Sequence, residues 1–447
     1  MIIFNLKVIK RFTKSNTRIF ARFFRQSKNK KKRKKISLIT QFFPPDYAAT
    51  GQLLDELTKR ISSKYQVNFE IYTGMPSYAF KKGIKAKKFV IEKNRLIKRL
   101  YTSKLFDKSL IGRTLNGFSF CLRVFFTILK RNAFNSDLDL VVYSTEPPFL
   151  PFMAWFIYKI TQIPYILVIY DIYPDVLTNI GIINKNSFLV KFWKFLNFKS
   201  FSKASEIIVL SKSMKIKIKK YINNNENKIS IIPSWADPEK IYKINKKNNQ
   251  FAIKNKLLDT FNVLYSGNQG RCHDLSTIID TAILLKKDRS IKFIFIGDGP
   301  QNSIIKKLVS DFSLPNCIFL PFQEKELLPL TLNIADLALI TLNSFSEGLV
   351  APSKLYGHLA ASTPVAIISP NNSYLKELIE EYSFGRWFIN GDSNSLSKFI
   401  NELKLNKNFS DKLGNNGRNY LLKHANPEKI VEQYYCLFSR SIVKSNQ

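Results

Sequence analysis

Histidine is nearly missing from this sequence: positions 273, 358 and 424 hold the only three among 447 residues. That inventory excludes His-dependent catalytic triads and most imidazole metal sites. Cysteine occurs four times, at 121, 272, 317 and 436, with no C-x-x-C pair, which argues against a zinc ribbon or a disulfide framework and fits a reducing compartment. Acidic residues are in deficit, 33 against 70 Lys and Arg, for a net charge of +37. Such an excess points to an anionic partner such as nucleic acid, phosphoryl groups or a membrane surface. The abundance of Lys, Asn, Ile and Phe also fits low-GC coding, so part of the charge is read as solvated surface. Long apolar runs are lacking too. The aromatic-rich stretches 118–130 and 147–160 are interrupted by Arg123, Lys130, Pro151 and Lys159, so neither is long enough to span a bilayer. They read as helices packing under a sheet, with part of one within reach of lipid.

What the sequence does hold begins with residues 1–35, which carry fourteen Lys or Arg and no acid, interleaved with Ile9, Phe12, Ile19, Phe20, Phe23 and Phe24. At three- to four-residue spacing these apolar groups share one helical face, flanked by Arg18, Arg22 and Arg25, which is the pattern of a helix lying in an anionic bilayer interface. The alternative is a disordered basic tail, bound to nucleic acid or simply solvated.

From residue 36 onward short apolar runs alternate with helix-length segments, the order that predicts parallel sheets with crossover helices. One series comprises 36–43, 67–74, 139–145, 165–171, 206–211 and 229–233; a second comprises 261–267, 291–299, 317–322, 337–342 and 364–369. At this length, with 45% hydrophobic residues, two cores are expected. Residues 36–235 would form an N-terminal Rossmann-like domain, 236–250 a polar linker, 251–430 a C-terminal Rossmann-like domain and 431–447 a terminal helix or tail. Ligands of open parallel sheets settle beyond the carboxyl ends of the strands, so chemistry is sought in the loops that follow them.

In "YSGNQGRCHDL" (265–275) Gly267 and Gly270 permit close approach of a phosphate to an expected helix start, and Arg271 adds a forked donor. A surface arginine beside an ordinary turn is the plainer reading. In "EGLVAPSKLYG" (347–357) Glu347 can accept from sugar hydroxyls, while Ser353 and Lys354 open a helix and can meet phosphate; Ser353 as an N-cap and Lys354 as solvent decoration is the alternative. "PPDYAATGQ" follows the first strand, with Asp46 and Tyr47 either meeting a ligand or forming a turn. Asp171 and Asp175 in "YDIYPDV" stand open in the same way. Asp137 and Asp139 form a D-x-D, but before a strand, not after one.

These stretches, with "FFPPDYAATGQLLDEL", "IIVLSKSM", "IIPSWAD" and "FIGDGP", resemble in order and coverage the family 4 retaining glycosyltransferases of GT-B fold, in the bacterial branch that builds O-antigen, colanic-acid-like and other exopolysaccharides. The resemblance extends from residue 36 to about residue 430. It implies an α/β fold of two doubly wound domains facing a cleft, and a UDP- or GDP-linked sugar as donor with no separate cofactor and no metal. Arg271 and Lys354 would carry the diphosphate, and Glu347 the donor sugar. Gly51, Gly267, Asn268, Gly270, Phe322 and Ser353 would complete the donor site, with Phe322 lining the base pocket. Asp46, Tyr47, Gln52 and Asp171 would face a polyprenyl-diphosphate-linked or saccharide acceptor at the inner face of the plasma membrane, where residues 1–35 would hold the cytoplasmic enzyme as a peripheral protein. Many relatives carry a second glutamate eight residues after the first, where this chain has Leu355, or Gly357 if aligned on "AASTPV"; the ribose contact would then be altered. A nucleotide-sugar epimerase of the same fold and a nucleic-acid-binding protein are the alternatives.

Overall fold

The computed structural model of the protein describes residues 33–46, 48–76, 86–101, 110–223 and 225–445. Of the basic segment expected to lie on a membrane (1–35), residues 1–32 fall outside the described residues, as does Tyr47, whereas Lys34 and Lys35 open the first strand.

Two sheets organise the chain. The first has eight strands in the order β3-β4-β2-β1-β5-β6-β7-β8, namely β1 (Lys34–Ile39), β2 (Val67–Gly74), β3 (Phe89–Glu92), β4 (Arg95–Leu100), β5 (Leu140–Ser144), β6 (Tyr165–Ile169), β7 (Glu206–Val209) and β8 (Ile229–Ile231). All neighbours are parallel except the β3–β4 hairpin. The second sheet has six strands, all parallel, in the order β11-β10-β9-β12-β13-β14. They are β9 (Phe261–Ser266), β10 (Ile291–Ile296), β11 (Cys317–Leu320), β12 (Leu337–Thr341), β13 (Val365–Ile368) and β14 (Gly385–Phe388). The central strands are buried on both faces, which is why they read in the sequence as nearly continuous apolar runs rich in Val, Ile and Leu.

Three strands escaped the apolar pattern. In β3 and β4 the pattern is broken by Glu92, Lys93, Asn94 and Arg95, and Arg95 points inward, 2% exposed, where its guanidinium donates to the Asp55 carboxylate at 2.6 Å and to the Asp55 carbonyl at 2.9 Å. β14 is four residues long and carries Arg386 and Trp387. β1 begins at Lys34, two residues ahead of the expected start.

In each sheet strand order reverses next to one strand: at β1/β5 in the first and β9/β12 in the second. These switch points define where crevices open. The helix Leu110–Phe134 and the helix Leu150–Thr161 pack on the first core through Phe120, Val124, Ile128, Leu150, Ala154 and Ile157, as expected of the two aromatic-rich stretches. No helix among the described residues is long and apolar enough to cross a membrane. The last helix, Pro427–Ser445, leaves the second domain and buries Ile430, Val431, Tyr434 and Phe438 in the core of the first.

Candidate active site

At the second switch point β9 hands over to the segment 267–275. The expected helix start comes later than the sequence implied: the helix runs Ser276–Leu284, and its first turn is already held by Asp274, whose carboxylate accepts from the Thr277 N–H at 3.1 Å. The donors expected beside Gly267 therefore are not those of a free helix end. The segment is instead a braced loop. Gln301 Nε2 donates to the carbonyls of Gly270 (2.6 Å) and His273 (2.9 Å), Asn343 Nδ2 donates to that of Arg271 (3.0 Å), and the Tyr265 hydroxyl to that of Asn268 (2.8 Å). Gly297, at φ +131°, lets the loop after β10 abut this one, because a Cβ there would collide with the Gly267 carbonyl. Loop rigidity of this kind preorganises a site before ligand arrives.

Lys354 opens the short helix Lys354–Ala360 and turns inward. Its Nζ is buried, has no hydrogen-bond partner, and stands 3.7 Å from the centroid of the Tyr265 ring. A side chain added at Gly267 would come within 3.7 Å of Lys354 Cε and 3.9 Å of Nζ, so lysine and glycine loop form one wall. Burial lowers the Lys354 ammonium to about 7. His273 and His358 flank it, both lowered to about 3 by burial and by the lysine charge; they are neutral, and His273 Nδ1 donates to the Thr341 carbonyl at 2.7 Å. Two of the three histidines thus adjoin the candidate lysine, which their scarcity alone did not reveal.

Glu347 is buried on the loop after β12. One oxygen accepts weakly from the Tyr374 N–H at 3.4 Å, and Oε2 has no partner. An unpaired buried carboxylate oxygen costs free energy unless a ligand hydroxyl meets it. Ser353 sits at the N-cap position without a side-chain capping bond, which leaves its hydroxyl to other partners. Arg271 is exposed and has no side-chain hydrogen bond among the described residues. Phe322, 39% exposed, follows β11, and a cavity of about 350 Å³ beside it is lined by Phe251, Leu320, Pro321 and Gln323. At the two candidate positions for a second acid, Leu355 is fully buried in an apolar core, and a Cβ on Gly357 would lie 2.9 Å from Leu332 Cδ1, so the leucine tip would have to shift.

The first switch point faces this wall. Asp171 pairs with Val350 as an antiparallel bridge, and the Ile172 N–H donates to the Leu349 carbonyl at 3.0 Å, so the loop carrying Glu347 docks on the loop carrying Asp171. Burial raises the Asp171 carboxyl to about 6. Beside it, at the end of β5, stands Glu146, which the sequence reading missed. Burial first, then the Asp171 charge, raises its carboxyl to about 8, and Oε2 has no hydrogen-bond partner.

Other candidates separate by their partners. Asp175 is taken up by Tyr221, whose hydroxyl donates at 2.6 Å, and by Lys220; of the two acids in "YDIYPDV" only Asp171 faces the cleft. Asp137 pairs with Lys35 and Arg131, and Asp139 accepts from the Lys35 N–H at 2.7 Å, so the D-x-D ties strands together. Asp46 is 2% exposed and lies near Arg99. Gly51 packs the helix Ala49–Lys64 onto the loop after β1, where a Cβ would meet the Phe42 carbonyl oxygen at 2.6 Å; Gln52 follows it, half-buried.

Two doubly wound domains closing on a cleft are the GT-B fold, and the solved structure of Anabaena HepE with UDP and glucose has it as well, at 13% identity, a TM-score of 0.68, and coverage of 91% of this chain and 100% of that one. Residues 246–420, which hold most of the second domain, match the family model described as glycosyl transferases group 1. Over longer stretches the chain is similar to "Probable glycosyltransferase WbjE" of Pseudomonas aeruginosa, 25% identical across 59% of this chain and 66% of that protein. It is also similar to WcaI of Escherichia coli K12, named for colanic acid biosynthesis as a glycosyl transferase, 24% identical across 63% and 69%.

Proposed function

We infer that the protein transfers a sugar from a nucleoside diphosphate sugar, UDP- or GDP-linked, to a saccharide acceptor in polysaccharide synthesis, retaining the configuration of the donor. The observation that carries this reading is Lys354: a buried ammonium without a hydrogen-bond partner, set against the glycine loop after β9, has the charge and placement to meet a diphosphate. Arg271 would close over the outer phosphate oxygens, with its exposed guanidinium free to swing in. Fixed cationic donors stabilise the charge that develops on a departing diphosphate, so in this reading no metal is called on. Glu347 Oε2 would accept from a hydroxyl of the donor sugar. The acceptor would enter from the Asp171 and Glu146 side, and its hydroxyl proton would pass to the leaving phosphate during front-face attack, from bonded acceptor oxygen to phosphate oxygen as the glycosyl bond breaks. A polyprenyl-diphosphate-linked acceptor, with residues 1–35 on the inner membrane face, completes the picture.

The similarity to enzymes named as glycosyltransferases favours this over an epimerase or a nucleic-acid-binding role. Calorimetric titration with UDP-, GDP- and dTDP-sugars tests it: one nucleotide should bind, and Lys354→Met should abolish most of that binding. No binding by any of them, or product formed without acceptor, refutes it.

A further inference from the structure

The first domain carries an outer layer of three helices side by side: Leu110–Phe134, Leu150–Thr161 and Phe188–Lys203. Each is apolar on its inner face, as a packed helix should be. Each is apolar on its outer face as well, which packing does not explain. On the first helix Leu115, Phe118, Leu122 and Phe126 line up at helical spacing and are exposed, Phe126 at 65%. The second adds Phe156 and Ile160, the latter 60% exposed; the third adds Phe188, at 82%, with Phe192 and Phe195. Exposed aromatics across adjacent elements mark an interaction surface.

Charge says what covers it. The three helices contain not one Asp or Glu, while Arg123, Lys130, Lys159, Lys191 and Lys199 stand among the rings. Lys199 lies 5.2 Å over Phe195 and Lys130 5.9 Å over Phe134. A second copy of this chain would bring the same all-basic face against itself and be repelled. Apolar rings interleaved with lysines and no acid are complementary to the headgroup and upper acyl region of an anionic bilayer. The layer also adjoins the cleft: Phe149, at the start of the second helix, stacks on Trp193 at 5.1 Å, and Trp193 on Tyr173 at 6.5 Å, next to Asp171.

We propose that this three-helix face is a folded docking surface for an anionic phospholipid bilayer, separate from the basic segment 1–35. It stands on its own geometry and does not depend on the transfer reaction.

The test uses the full chain and sedimentation with phosphatidylcholine vesicles, with and without phosphatidylglycerol. The wild type should bind the anionic vesicles. The combined variant Phe126→Ser, Phe188→Ser, Phe192→Ser, Phe195→Ser keeps the basic segment and removes only exposed rings, so it should fold, melt at the same temperature and bind at least about tenfold less. Lys191→Gln with Lys199→Gln should weaken binding chiefly at low salt. Nitroxide-labelled acyl chains should quench emission that Trp155→Phe removes, since Trp155 is half-buried beside Phe156. Wild-type binding by the four-ring variant would assign membrane contact to residues 1–35 alone and overturn the proposal. So would no anionic-vesicle binding by the wild type, or a solution dimer that the ring variant dissolves. Sugar transfer to a water-soluble acceptor should be the same in wild type and ring variant; its absence from both would refute the transferase reading and leave the vesicle result intact.

Discussion

Lys354 would gain positive charge on binding the proposed diphosphate. Burial brings its ammonium to about 7, and a diphosphate set against Nζ restores its preference for the charged form. Nucleotide binding should therefore take up a proton above neutrality, seen as a binding heat that scales with buffer ionisation enthalpy, and affinity should fall as pH rises from about 7. Heat independent of buffer would separate Lys354 from the phosphates. Lys354→Met should lower turnover by about two orders of magnitude. It should not lower thermal stability at neutral pH, because a lysine whose folded value lies below the ordinary 10.5 weakens the fold most below about 7 and progressively less toward 10.5. Glu146 has the opposite sign. Its folded value, about 8, lies above the ordinary 4.5, so its contribution to stability is present at low pH and is lost as pH rises through about 8. Glu146→Gln should melt increasingly above the wild type as pH is raised across that window; parallel melting curves at all pH values would mean the carboxyl is solvated.

At the level of elements, the legible parts of the fold were those where side-chain period and burial agree. The runs that became β5, β6, β12 and β13 have no polar interruption because both faces are covered. The β3–β4 hairpin was illegible because Arg95 occupies a core-facing position that an apolar pattern cannot anticipate, its charge being met by Asp55 on the helix Ala49–Lys64, forty residues earlier. The candidate loops around Lys354 and Glu347 were legible from residue type, whereas Glu146 was not: followed by Pro147 it reads as a strand ending, and only the pairing of β5 with β6 brings it beside Asp171. The Arg95–Asp55 contact supplies a check on this account. Arg95→Met takes the buried cation from Asp55 and leaves that carboxylate only the half-exposed Lys59, whose Nζ lies 2.8 Å away, so it should cost up to about 3–5 kcal/mol, read from urea unfolding; adding Asp55→Leu should recover much of the loss, because the under-compensated charge goes with it.

The whole molecule is bound together at two separate places. Near the cleft the loop after β12 reaches across, where Leu349 joins the first core, Asp171 pairs with Val350, and Asn179 Nδ2 donates to the Phe345 carbonyl at 2.7 Å. Far along the chain, Arg60 ties to Asp237 and to Glu428, both at 2.8 Å, at the point where the chain leaves the second domain for the helix Pro427–Ser445. That helix makes the first domain depend on residues that follow the second domain in the chain. Tyr434 is fully buried there, its ring 6.3 Å from that of Trp235, and truncating it leaves a cavity that should cost about 3–5 kcal/mol. Since the helix follows the second domain in the chain and packs on the first, Tyr434→Ala should weaken the first core without touching the β9–β14 sheet. Scanning calorimetry should then resolve two transitions, the lower from the first domain, where the wild type should melt in one; nucleotide should raise only the upper. A single transition displaced as a unit would show that the domains are coupled through the cleft loops instead, and that the terminal helix contributes stability without joining them.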